Sequence, residues 1–320
     1  MKTRKIGKTD IHVSEVAFGC ASIGSLYREV DEAEAQAVLQ TAWDAGIRYF
    51  DTAPHYGRGL SESRLGRFLK GRTGHVLSSK VGRVLSPAKS PISEVDGFVN
   101  PEQNDVHYDY SGDGIEESFE QSCERLGQSR IDILFVHDIG TYTHGEGNAA
   151  HMDAFFSSGY ERLVRLKESG RIGAFGLGVN ECQVCLDVMD HGPIDVILLA
   201  GRLTLLDRSA EPELVPRCLA EGTSLVLGGI FNSGILATGP VAGATYDYGP
   251  APKDVLDRVA ELQARAARFD VPLATAALHF ALRQPATASI LLGTAKPSSL
   301  TRNLTAIEQG LPTGADEILA

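Results

Sequence analysis

The chain has 320 residues, 43% of them hydrophobic and 22% charged, and its formal net charge is -11. That length and apolar content can bury a large core, in one barrel or in two smaller domains. The acidic balance, with no basic cluster to offset it, argues against nucleic acid or anionic lipid as a partner, and no apolar run is long enough to span a bilayer.

In chain order the first element is a small hairpin, RKIGKTDIHV, turning around residues 7–10 and placed to plug one end of a barrel. Eight short apolar or β-branched runs follow: VSEVAFG (13–19), GIRYFD (46–51), GHVLSSK (74–80), IDILFVHD (131–138), RIGAFGLGV (171–179), IDVILLA (194–200), TSLVLGG (223–229) and ASILLGT (288–294). Several are continuously apolar, as parallel strands covered on both faces should be. Helical patterns lie between them, including DEAEAQAVLQTAWDA (31–45) with acidic residues in its first turn, YERLVRLKESG (160–170) closing on Gly170, and DVLDRVAELQARAARF (254–269). Eight alternations without a break in composition predict one (β/α)8 barrel over residues 1–320, with an N-terminal hairpin and long βα loops. A doubly wound sheet is the rival, but GCASIG after the first strand lacks the middle glycine of a dinucleotide fingerprint, and GAFGLG (173–178) lies inside a strand pattern.

Five cysteines scattered over the chain make no disulfide framework and suit a reducing compartment; with a basic N-terminus that no apolar segment follows, the expected location is the cytoplasm. Cys182 and Cys185 form a C-x-x-C at a strand-to-helix junction, without the second pair or the histidines that a zinc site needs. Two loops stand out. Residues 83–112 are too long for an ordinary βα loop and read as a surface excursion, in which Tyr108 and Tyr110 either present faces to a ligand or anchor the loop. Residues 143–151 carry His144 and His151, but no third ligand is spaced to complete a metal site, and none is expected.

In a barrel of this kind the chemistry sits at the C-terminal strand ends. Asp51 ends the second run and Tyr56 follows it; Lys80 ends the third; His137 and Asp138 end the fourth; Asn180 follows the fifth. Each alone has an ordinary structural reading, as turn former, packing group or satisfied strand-end side chain. Together, titratable groups gathered at one rim point to a site.

These residues carry a resemblance. GIRYFDTAPHYG, SSK, IDILFVHD and GLGVNE, in that order and at strand ends, resemble the aldo-keto reductase superfamily over nearly the whole chain, and RYFDTAPHYGRGLSESRLGRFL, LLAGRLTLLD and GGIFNSGIL are similar to its bacterial aldose dehydrogenase branch, which includes L-fucose and D-threo-aldose 1-dehydrogenases and related pyridoxal 4-dehydrogenases. The resemblance implies an NAD(P)-dependent oxidoreductase acting on a small-molecule substrate. Tyr56 would relay the proton, Lys80 would lower the phenol pKa, Asp51 would hold Lys80, and His137 would orient the substrate oxygen. His55 stays unassigned, lining the mouth or capping a loop.

For the cofactor, the resemblance implies Asn180 as the partner of the nicotinamide carboxamide. Gly228, Gly229 and Ile230 stand where the family often has a stacking tyrosine, so Phe231, beside Ser233, is the candidate stacking group. The adenosine end would lie over Gly293, Thr294 and Asn303, with Ser298 as helix cap. Gly293 and Ser299 stand where NADPH-dependent members place a lysine and an arginine, which implies NAD as preferred cofactor and leaves NADP open through Lys296 or Arg302. An aldose oxidised at C1 to a lactone is the implied reaction, with Asp105, His107, Tyr108, Asp109 and Tyr110 as its polar and aromatic wall. Pyridoxal or a general aldehyde or ketone is the alternative substrate. A Schiff-base role for Lys80 is disfavoured by its pairing with Asp51, and a non-catalytic nucleotide-binding module by the presence of Tyr56 with all its neighbours.

Overall fold

A computed structural model describes residues 1–320. The eight apolar runs form β1 (Val16–Gly19), β2 (Tyr49–Asp51), β3 (Val76–Val81), β4 (Ile131–His137), β5 (Ile172–Val179), β6 (Val196–Ala200), β7 (Ser224–Gly228) and β8 (Thr287–Leu292). Each pairs in parallel with its sequence neighbours, and β8 pairs with β1 to close the barrel. No helix is long and apolar enough to cross a membrane.

Helices α1 (Glu32–Asp44), α2 (Leu60–Leu69), α3 (Gly112–Leu126), α4 (Tyr160–Glu168), α5 (Gln183–His191), α6 (Leu214–Glu221), α7 (Leu273–Arg283) and α8 (Pro297–Gln309) follow the eight strands in turn. The Asp31 carboxylate caps α1 by accepting from Glu34 N at 2.8 Å, which satisfies one of the amides a helix start leaves free. Residues 254–269 form a helix, Lys253–Ala267, but it is an addition between β7 and α7.

Strand alternation divides the core in two. Along β4, Ile133 and Phe135 point into the barrel, where they meet Tyr49, Ala174, Val196 and Val226, while Leu134 and Val136 pack toward the helices. The N-terminal hairpin pairs Thr3–Lys5 with His12–Ser14. It buries Ile6 and Val13 completely within the inner cluster, plugging the N-terminal end. The run 13–19 is therefore two elements, the second hairpin strand and β1, broken at Glu15.

The glycines of residues 173–178 serve packing. A Cβ on Gly176 would collide with the backbone carbonyl of Val196 on β6. Gly176→Ala should therefore cost about 3 kcal/mol, read as a lower denaturant midpoint with an unchanged slope; an unmoved midpoint would refute the packing argument.

Candidate functional site

The same alternation builds the site. On β2 the inward positions are Tyr49 and then Asp51; on β3 they are Val76, Ser78 and Lys80; on β4 they are Ile133, Phe135 and His137. The final inward position of three adjacent strands thus carries an acid, an ammonium and an imidazole, at the C-terminal mouth.

Asp51 and Lys80 are buried and in contact. Lys80 Nζ donates to Asp51 Oδ2 at 2.7 Å and to the Thr52 carbonyl at 2.8 Å, and the Ser78 hydroxyl donates to Asp51 Oδ1 at 2.7 Å. Tyr56, in the short turn after β2, has its ring centroid 4.6 Å from Lys80 Nζ and lies edge-on to His137 at 5.9 Å. The structure brings Asp51, Tyr56, Lys80 and His137 together.

Desolvation sets their protonation. Burial works against the Lys80 ammonium, but Asp51 and Tyr56 more than reverse it and hold its pKa above the ordinary lysine value. Burial pushes the Asp51 carboxyl up, and Lys80 and Ser78 pull it back. The phenol of Tyr56 is pushed up to about 12, again by burial, with Lys80 opposing. The expectation that Lys80 lowers the phenol below its free value is corrected: its pull is real, and removal from water outweighs it. Burial, then Arg83 and Lys80, hold His137 well below the usual imidazole range, so it is a neutral hydrogen-bonding group.

Two cavities open from this rim. One, of about 360 Å³, runs between the β1, β7 and β8 ends and is lined by Asn180, Phe231, Ser233, Gly293, Thr294 and Asn303 among others. The second, of about 500 Å³, is lined by His55, Lys80, Phe98, His137, Asp138 and Tyr142 among others. They share Ala21, Tyr27, Tyr56, Asn180 and Tyr248. Asn180 is held from both ends: Arg202 donates to its carbonyl at 2.6 Å, and its side-chain amide donates to the Tyr248 hydroxyl at 3.2 Å.

Ser298 is not part of this cleft as a cap. Lys296 occupies the cap position of α8, Pro297 fills the first turn, and the Ser298 side chain is exposed and makes no capping bond. The nearest equivalent is Thr294, whose hydroxyl accepts from Lys296 N at 3.0 Å.

The segment 83–112 is an ordered β excursion. Its strand Arg83–Pro87 pairs with Asn104–Tyr108, and a smaller hairpin pairs Glu94–Val95 with Phe98–Val99. Asp105, His107, Tyr108, Asp109 and Tyr110 do not line the substrate-side cavity; Asp96, Gly97 and Phe98 do. Tyr110 is fully buried and anchors the loop, donating to the His137 carbonyl at 2.8 Å. His144 lies tilted against His151 at 4.1 Å between centroids, and both pack on Tyr108 and Tyr110. Cys185 is buried in the first turn of α5 beside Cys182 at the cap.

Sequence reading missed the aromatic rim: Tyr27, Tyr142 and Tyr248 line the cleft from three different loops. Tyr248 rides on a two-residue hairpin turn between Thr245–Tyr246 and Gly249–Pro250, with Asp247 and Tyr248 both at positive φ. Its signal was weak, since such turns usually carry Asn-Gly or Asp-Gly. Asp96-Gly97 between Val95 and Phe98 was the readable signal, and it marks the loop tip that reaches the cavity.

The model of the aldo/keto reductase family matches residues 15–315. The chain is 39% identical to pyridoxal 4-dehydrogenase of Microbacterium luteolum, over 97% of this chain and 94% of that protein. It is 36% identical to D-threo-aldose 1-dehydrogenase of a Pseudomonas species, over 94% and 92%. Among solved structures it is similar to aldo-keto reductase AKR11C1 from Bacillus halodurans in the holo form, with a TM-score of 0.78 and 27% identity over 100% of this chain and 95% of that one.

Replacing Lys80 by Met leaves Asp51 as an unpaired buried charge. Lys80→Met should lower stability by about 3 kcal/mol or more, and adding Asp51→Asn should recover part of that loss. Denaturant titration of the two variants decides it; equal destabilisation with and without Asp51→Asn would count against the pairing.

Proposed function

Since the chain belongs to the aldo/keto reductase family, whose members are NAD(P)-dependent oxidoreductases, we propose that it oxidises the C1 hydroxyl of an aldose of the L-fucose, L-galactose or D-arabinose type to the lactone, with NAD as preferred acceptor. The observation that carries the reading is the meeting of Asp51, Lys80, Tyr56 and His137 where the two cavities join. The D-threo-aldose 1-dehydrogenase relative supports the substrate class.

The cofactor-side cavity is read as the seat of an extended dinucleotide. It runs from Asn180, just after β5, to Asn303 on α8, and Gly229 and Gly293 add no side chain to its wall. Asn180 would hold the carboxamide, Phe231 and Ser233 would flank it, Gly293, Thr294 and Asn303 would take the adenosine end, and Tyr248 is the aromatic group beside Asn180. A nicotinamide ring bound there supplies the hydride acceptor. Tyr56 takes the proton from the C1 hydroxyl, Lys80 stabilises the phenolate that accepts it, and Asp51 keeps Lys80 charged and in place. His137, neutral, donates to the same oxygen and fixes the direction of the C1–H bond.

The charged residues lining the cofactor-side cavity are Asp51 and Asp247. Arg302 lines a separate groove against α7, and Arg28 and, more weakly, Lys296 hold the Glu34 carboxyl below its ordinary range. No arginine or lysine lines the cofactor-side cavity, which supports NAD over NADP. Five free thiols suit a reducing compartment, and a cytoplasmic enzyme is part of this reading.

Pyridoxal is the second reading. The Microbacterium luteolum relative favours it, and Tyr27, Phe98, Tyr142 and Tyr248 offer a flat ring faces to pack against. Initial rates of NAD and NADP reduction with L-fucose, L-galactose, D-arabinose and pyridoxal separate the two. NAD should exceed NADP by at least about tenfold in kcat/KM; pyridoxal turnover with every sugar inert would replace the first reading by the second.

Tyr56→Phe should cut kcat by about 100-fold or more while the NAD dissociation constant stays within about twofold, because the phenol acts on the substrate proton. Near-normal turnover would remove Tyr56 from its role. Oxidation needs the phenolate, and a phenol held near 12 is almost wholly protonated at neutral pH. The oxidative kcat/KM should therefore climb with pH from 7 to about 10, whereas aldehyde reduction, which uses the protonated phenol, should stay level over that range. A falling oxidative profile would contradict the assignment.

A further inference from the structure

Among the rings that line the substrate-side cavity, Tyr56, His137 and His55 lie against one another, and the mechanism uses the first two. The third is His55. Its ring centroid lies 6.0 Å from that of His137 and 6.5 Å from that of Tyr56, and Phe98 packs edge-on against it at 5.4 Å. A capping role does not explain it: His55 stands at the cap position of the short turn that holds Tyr56, yet its side chain makes no capping bond.

The hydrogen-bonding state of the ring follows from its surroundings. Nδ1 of His55 is buried without a partner, and so is Nδ1 of His137. A buried N–H with no acceptor is rarer than an under-used acceptor, so in both rings the proton belongs on Nε2. Burial, then Arg83, Arg58 and Lys80, holds His55 down to about 2, so the ring is neutral throughout the working range. The cavity that both rings line is thus offered two imidazole N–H donors, that of His137 lying 3.5 Å from the Asp138 carboxylate, with the phenol of Tyr56 beside them. Its other phenols, Tyr27, Tyr142 and Tyr248, are exposed, and the last two already bond to Asp247 and Asn180. One oxygen at the reacting carbon engages Tyr56 and His137. The His55 donor is left for a second.

We propose that His55 is a specificity-determining residue whose Nε2–H donates to the hydroxyl on the carbon adjacent to the reacting one, so that the enzyme selects 2-hydroxy substrates over their 2-deoxy counterparts. The assignment rests on the aldose reading of the same site. Its physical basis is that a donor placed for a substrate oxygen is left unpaired by the analogue lacking it, and that loss discriminates more strongly than shape.

The test compares the preferred sugar with its 2-deoxy analogue in the wild-type protein, His55→Phe and His55→Gln, with kcat and KM separated, and follows NAD affinity by fluorescence titration and folding by thermal midpoint. The wild type should favour the 2-hydroxy sugar by at least about tenfold in kcat/KM, and His55→Phe should remove most of that preference. His55→Gln, which keeps an N–H donor, should restore part of it. Since His55 does not titrate in the working range, neither variant should move the pH profile. Equal losses on both sugars in His55→Phe, with an unchanged thermal midpoint, would overturn the assignment. If the wild type oxidises no sugar, the aldose reading has failed on its own; 2-hydroxypropanal against propanal, reduced with NADH, then poses the same question to His55, and an unaltered ratio in the variant rejects it.

Discussion

Two opposite charges shut away from water set the terms for the whole mouth of the barrel. Asp51 ends β2 and Lys80 lies at the penultimate position of β3, so their contact joins neighbouring strands at the level where the chemistry lies. Burying such a pair costs solvation that attraction alone does not always offset. Here the remaining capacity is used: Ser78 takes the second carboxylate oxygen and Thr52 takes a second ammonium proton. The cation this arrangement preserves then acts on its surroundings. It pulls on the Tyr56 phenol, and it helps keep His137 and His55 neutral.

A second buried pair frames the other side. Arg83, at the start of the long excursion after β3, contacts Asp138 just beyond β4, and Asp138 takes a positive φ to reach it. Tyr110 closes the far end of that excursion against the His137 carbonyl. The excursion is therefore fastened on both sides of His137, the residue whose direction matters most to a bound oxygen. His144 and His151, which look like metal ligands when read one after another, supply the aromatic packing behind Tyr110.

Backbone strain gathers where the cleft is finished. Tyr27, Tyr248, Asp96 and Asp247 all adopt left-handed backbone, a state that costs about 1–3 kcal/mol for a residue with a side chain and persists only where neighbours enforce it. The enforcing bonds are present. Tyr27 N donates to the Gly97 carbonyl at 2.7 Å, and Arg202 grips Asp247 through two bonds at 2.9 and 3.0 Å. Arg202 also holds Asn180, so one guanidinium ties the hairpin of residues 245–250 to the residue at the junction of the two cavities.

The sequence by itself determined the barrel and the residues at its inner rim, because both follow from periodicities of the chain. Eight apolar runs alternating with helical patterns point to one closed sheet, and strand alternation carries Tyr49 to Asp51 and Phe135 to His137 on the same inward face. Two things it left to the tertiary structure, and a third, local one went unread. The pKa of Tyr56 depends on how completely the phenol is removed from water, which no local pattern records. The cavity wall depends on which parts of long loops fold back, so Phe98 and Tyr248 reach it while Tyr108 and Tyr110 do not. The cap of α8 depends on where Pro297 starts the helix, which moved the position from Ser298 to Lys296. The first two are decided by contacts between residues far apart in the chain, whose energies depend on burial and mutual geometry and not on spacing along the backbone; the cap is local, because proline suits the first helical position.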